Sequence, residues 1–200
     1  MTVFAAPINV ANAALLKMGA KPLASLTATT AEARIINGNY ELIVKDALTK
    51  HAWNWAKKRQ LLVSSGTTAD VGKYIFELPA DLLNLRYVTY KDRVVDVYES
   101  DEGKIILPYD AEVYAHYTWR VPEAQWPADF AKAIVTYLHA LLKGSLVTDD
   151  NASMALEQEA DKLLRRAMVR DKRQTRGREI NETPRMARIW YGTRNHGPQA

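Results

Sequence analysis

The chain contains no cysteine. That excludes a disulfide framework and thiolate chemistry, and fits a reducing compartment. Histidine is scarce: His51, His116, His139 and His196 are the complete set. None stands in H-E-x-x-H or comparable ligand spacing, so neither a metal centre nor a cofactor is expected. No apolar run approaches the roughly 18 residues of a membrane span, and the opening MTVFAAPINV lacks the charged and apolar regions of a secretory signal. The sequons at Asn151 and Asn181 are then chance matches. There is no G-x-S-x-G elbow, no phosphate-binding G-x-x-x-x-G-K-[ST] and no glycine-rich dinucleotide turn. Lys143-Gly144-Ser145 has such residues in the wrong order, on an apolar helix. Asp149-Asp150-Asn151 lacks the spacing of a calcium loop and reads as a helix cap, while Asp101 and Glu102 sit in a turn. These absences speak against an enzyme.

What is present is an apolar fraction of 48% in 200 residues, enough for one cored domain or for one domain with an insertion. The charge is unevenly placed. Residues 1–150 carry 16 Lys/Arg against 17 Asp/Glu, whereas residues 151–200 carry 11 against 6. Such asymmetry points to a charged partner. Pro7 opens a first helix with Ile8, Ala11, Leu15 and Met18 at helical spacing and Gly19 as its stop. Thr29 and Glu32 form a capping box for a second, whose stripe is Ala33, Ile36, Tyr40, Ile43 or Val44, Ala47 and His51. The period then changes. Ser64–Gly72 reads as a polar loop, and Tyr74–Leu78, Leu85–Tyr90, Val94–Tyr98, Lys104–Leu107 and Glu112–Val121 as strands, giving one antiparallel sheet of four to six strands. Helix returns with Pro127 as its first residue and Phe130, Ala133 or Ile134, Tyr137, Leu138, Leu141 and Ser145 inward. A fourth helix buries Leu156, Ala160, Leu163 or Leu164 and Ala167, and Gly177 is its expected stop. Helices apart from strands indicate α+β. The expected architecture is mainly an antiparallel four-helix bundle, residues 1–58 and 122–177, with an inserted small antiparallel β-domain, 59–121, and an extended C-terminal tail, 178–200.

Two segments stand out. In His51–Leu62, Trp53 and Trp55 precede Lys57, Lys58 and Arg59. Aromatics beside cations suit a nucleic-acid surface, but two tryptophans bury much apolar area. Trp53, Trp55 and Arg59 are therefore expected at the junction of helices and sheet. From Arg165 to Arg178 there are seven basic residues against the single acid Asp171. The following tail has apolar anchors and no period, so it is expected to order against something else. Its charge suits phosphate binding; its Trp, Tyr and Arg suit a protein hot spot. A basic DNA-binding α+β module is the alternative reading of the whole chain.

The order of motifs resembles the tail tubular protein A, or head-to-tail adaptor, family of short-tailed bacteriophages over about residues 8–190. Ile8–Leu26 is similar to the family's opening helix with its Leu-Gly…Ser-Leu ending, and Thr30–Ala47, with Ala31, Tyr40 and Asp46, to its next helix. Trp53–Leu62 (WNWAKKRQLL) is the most specific match. Tyr74–Leu83, with its Leu-Pro-x-Asp turn, and Trp126-Pro127 followed by Phe130 and Leu138–Leu141 are of the same kind. The chain departs from the pattern at Ala52, where the family has proline, in the loop Ser64–Gly72, which is short on aromatics, and most in the tail. The resemblance implies a structural virion protein at the head–tail junction, made in the host cytoplasm. It would form a dodecameric ring between a portal protein and a tail nozzle or tail tubular protein B-like partner, with genomic DNA passing non-specifically through the lumen. Arg173, Arg176, Arg178, Ile180, Arg185, Met186, Arg188, Ile189, Trp190 and Tyr191 are the expected portal-docking residues.

Overall fold

A computed structural model describes residues 4–67, 72–95, 99–101, 103–108, 110 and 112–179. The chain is α+β, with four helices and two antiparallel sheets. Helix α1 spans Pro7–Lys17, with Pro7 in the first turn, where its missing N–H leaves no bond unmade. Gly19, at φ +75°, turns the chain away. Helix α2 spans Ala31–Thr49. Its cap is Thr30 rather than Thr29: Thr30 Oγ1 accepts from the Ala33 N–H at 3.3 Å. The third residue after that cap is alanine, so the expected capping box does not form. Ala33, Ile36, Tyr40, Val44 and Ala47 are buried along α2 as the stripe requires. His51 lies past the helix end.

Helix α3 spans Ala128–Val147 and caps on Pro127, which takes an extended conformation one position before its expected place. Its buried set (Phe130, Ala131, Ala133, Ile134, Val135, Thr136, Leu138, Ala140, Leu142) runs nearly all round, not along one stripe. Ser145 is exposed. The packing explains this: α1, α2 and α4 all lie against α3, and a helix covered on several sides is apolar on several sides. By length and composition α3 could cross a membrane, but half of that window is buried inside this molecule, and core helices pass the same test. Helix α4, Asp150–Glu179, is 30 residues long and continues through Gly177. Asp149 Oδ1 caps it by accepting from the Ala152 N–H at 3.0 Å, which is the role expected for the acidic cluster. α3 and α4 approach each other closely at Gly144, where an added Cβ would lie 2.9 Å from Ser153 Oγ. That hydroxyl donates to Ala140 O at 2.9 Å.

Among the described residues between α2 and α3 run eight strands in two sheets, not one sheet of four to six. Strands β1 (Lys57–Leu61), β8 (Val113–Trp119), β4 (Leu82–Tyr90) and β5 (Arg93–Val95) form one sheet in the order β1-β8-β4-β5. Strands β2 (Ser64–Thr67), β3 (Tyr74–Glu77), β7 (Lys104–Leu107) and β6 (Glu99–Asp101) form the other in the order β2-β3-β7-β6. The start of the expected loop at Ser64 is therefore strand. β2 pairs with β3 through a bulge between Ser64 and Gly66, and ladder bonds do not depend on side-chain polarity. The chain changes sheets at Leu62, whose N–H donates to Val113 O at 2.8 Å. Phe76, Ile105 and Leu107 of one sheet share an apolar core with Val88, Val113, Ala115 and Tyr117 of the other. A two-layer solution is what two half-apolar sheets require. Lys58, from the Trp53–Leu62 motif, meets Asp81, from the Leu-Pro-x-Asp turn, at 2.6 Å, and Tyr117 OH donates to the same carboxylate at 2.8 Å. Helices and strands are mixed rather than separate, since α2 also packs on β4 and β8.

The two helical glycines differ in a testable way. Gly38 in α2 has nothing within 4 Å of a Cβ position, so Gly38→Ala raises stability by about 1 kcal/mol through helix propensity. Gly144→Ala gains no such increment, because it displaces the Ser153 hydroxyl from its bond. Urea unfolding of the two variants beside the parent checks the contrast.

Candidate functional site

Two crossings join helices to strands, residues 50–56 before β1 and residues 120–127 after β8. At the first, a short 3-10 turn, Asn54–Ala56, tucks the tryptophans inward. Trp53 is 1% exposed, and its Nε1–H donates to Ala47 O at 3.0 Å. Trp53 and Trp55 lie 5.6 Å apart between ring centres, and both meet Phe130 edge-on, at 5.2 and 5.0 Å. Trp126 reaches the same Phe130 ring at 5.2 Å. The structure thus brings Trp53 and Trp55 together between the helices and the first strand.

Arg59 is not there. Strand alternation places it on the outer sheet face, over the Tyr114 ring at 3.9 Å and paired with Asp92 at 2.9 Å. The arginine at the crossing is Arg86, which sequence reasoning missed. It donates to Trp53 O at 2.6 Å and to Thr118 Oγ1 at 3.0 Å.

Asp171 was also missed as a structural residue, although it is the lone acid in the basic run. It is 5% exposed. Its carboxylate accepts from the Asn54 backbone N–H at 3.1 Å, from Asn54 Nδ2 at 3.0 Å and from His51 Nε2 at 3.2 Å. Since a carboxylate only accepts, His51 carries its proton on Nε2. Asn54 Nδ2 also donates to Asp171 O at 3.3 Å. Together these bonds fix α4 to the connector between α2 and β1.

At the second crossing Glu123, 6% exposed, has the corresponding place. Tyr40 OH donates to it at 3.0 Å, and Arg120 donates to it while also bridging to Glu41 at 2.9 Å. Arg120 further donates to Val121 O at 2.6 Å and lies over the Trp126 ring. Burial, then the Glu123 charge, hold the Tyr40 phenol neutral far above the usual range. The Arg120 hydrogen bond holds the Glu41 carboxyl below its usual range.

The outward surface of α4 adjoins the first crossing. A recess of about 200 Å³ has Trp53, Trp55, Phe130 and Ala167 as walls, with Asp129, Arg170, Asp171 and Gln174 among its lining. Asp129 and Arg170, paired at 2.6 Å, also line a wider groove with Arg165, Arg166, Val169 and Arg173. Of the expected docking residues, Arg173 is exposed in this groove, and Arg176 and Arg178 fall in the last turns of α4. Ile180, Arg185, Met186, Arg188, Ile189, Trp190 and Tyr191 lie outside the described residues. Among the described residues no group of three or more His, Cys, Asp or Glu side chains could hold a metal ion. No family model matches the chain, and no curated protein is significantly similar to it.

Asp171→Ala leaves the Asn54 donors and His51 buried without their acceptor. It lowers the unfolding free energy by about 3 kcal/mol, as for other broken buried polar groups, measurable by urea denaturation.

Three imidazoles titrate below their usual value. Burial lowers His51, and Asp171 offsets this only in part. Burial, then Lys57 and Arg59, lower His116; burial, then Lys17 and Lys143, lower His139. The unfolded chain therefore takes up protons at about pH 6.5, before the folded one does. The histidine contribution to stability is complete above that pH and declines as pH falls through it toward the depressed folded values. Urea midpoints at about pH 7.5 and about pH 5.5 test this, the second being the lower.

Proposed function

We propose that the protein is a head-to-tail adaptor of a short-tailed bacteriophage, a structural virion component that acts by assembly. In this reading the helices form one bundle from residues 1–58 and 122–177, residues 59–121 are an inserted β-domain, and residues 178–200 are a docking arm. A single apolar cluster drawing on all four helices, and a second confined to the strand region with its flanks, support that division.

The observation that carries the reading is α4. It runs 30 residues and carries the basic run Arg165 to Arg178 on one continuous helix immediately before residues 180–200 in sequence. Subunits assemble as a ring, a dodecamer by the family resemblance. The arm docks on the portal, with Trp190 as anchor and the arginines setting register, since these residue types dominate interface energetics. Leu16, Leu42 and Met154, large apolar side chains left exposed on α1, α2 and α4, supply contacts to ring neighbours. Each contact is modest and the ring multiplies it. The β-domain faces the nozzle partner, and DNA passes through the lumen without sequence readout.

Electron microscopy of the protein mixed with portal rings tests this. The full chain adds a second ring to the portal, and a chain ending at Glu179 stays folded but does not attach. Attachment of the shortened chain would end the docking role, and absence of any added ring with the full chain would end the adaptor reading.

A further inference from the structure

The surface of α4 and the recess beside it make two demands that nothing within the described residues meets. The first is for negative charge. Arg165, Arg166 and Arg173 line the groove with no carboxylate partner among the described residues, and Arg170 shares the one acid there, Asp129. Arg166, Arg170 and Arg173 follow one another at i+4 and i+3, so they stand on one helix face and repel. The second is for an apolar group. The recess beside Trp53, Trp55 and Phe130 shares Asp129 and Arg170 with the groove.

We propose that this surface docks an acidic partner polypeptide, which inserts one aromatic or branched aliphatic side chain into the recess and lays its carboxylates along the arginines. Charge complementarity selects the occupant. The recess, at about 200 Å³, is smaller than the roughly 300–1,000 Å³ of small-molecule pockets and of a size for one side chain. A nucleic-acid backbone would meet the arginines alone and leave the recess unfilled. Arg–carboxylate pairs are strong when bidentate, and a desolvated apolar anchor beside them is the usual form of a hot spot. The surface lies within residues 53–174, apart from the arm at 180–200, so the inference holds whether or not the partner is a portal.

The test is calorimetric titration of the full chain with a short synthetic peptide in which glutamates flank one phenylalanine. Binding is expected, weakened about tenfold or more when the phenylalanine is replaced by alanine, and likewise when the glutamates are replaced by glutamines. Ala128→Phe, at an exposed position on the recess rim, is expected to weaken the parent peptide by a similar factor with an unchanged unfolding midpoint. Arg165→Glu with Arg173→Glu should do the same. Equal affinity for the alanine peptide, failure of the acidic peptide to bind, or displacement of it by short duplex DNA at equal charge concentration would each overturn the proposal.

Discussion

Taking a carboxylate out of water costs several kcal/mol unless donors replace the lost solvent. At Asp171 the connector that follows α2 supplies such donors. The Asn54 main chain, the Asn54 amide and the His51 imidazole all converge on it. Because these groups are supplied only when α4 lies against the connector, the carboxylate makes burial of the tryptophans and placement of α4 a single event. Swinging α4 away would exchange these bonds for water and uncover the core that Leu164 and Ala167 share with Trp53 and Phe130. Glu123 imposes the same condition where the chain leaves the strands, through Tyr40 on α2 and Arg120. The fold is thus clamped at both points where helix gives way to sheet.

The other organising fact is that the helices converge on α3. With α1, α2 and α4 each against it, loss of side-chain volume on α3 is felt in several directions, and Phe130, touching three indole rings, is the most exacting position. The α3–α4 contact is tightened by the absence of a side chain at Gly144 and by the Ser153 hydroxyl that fills that space. Tyr137 OH adds a bond to Asp161 farther along, so the two longest helices are joined over several turns.

Much of the local structure was legible because it is local. The burial of Ala33, Ile36, Tyr40, Val44 and Ala47 follows from spacing alone, and the acidic cap of α4 from residue type. The α+β order followed from the change of period. What was hidden depended on partners far along the chain. Asn54 and Asp171 are 117 residues apart, and Tyr40 and Glu123 are 83 apart; no window of sequence contains either pair. Arg59 was expected at the junction because it follows the tryptophans closely, yet two residues of strand are enough to place it on the open sheet face. The second sheet was hidden because β2 is a polar run, Ser64–Thr67, held by main-chain bonds to β3. The one available hint to the first crossing was Asp171 itself, an acid alone among seven cations.

The clamp at Asp171 also gives α4 a mechanical character. The helix is pinned near its start by the Gly144–Ser153 approach and again at Asp171, and continues to Glu179. That last stretch is about 12 Å at 1.5 Å per residue. Force applied to it divides at the clamp: part passes through the Asn54 and His51 bonds and the turn Asn54–Ala56 into strand β1, and part through the Arg170–Asp129 pair into α3. A load on the basic end of the molecule is therefore shared between the sheet and the helical core.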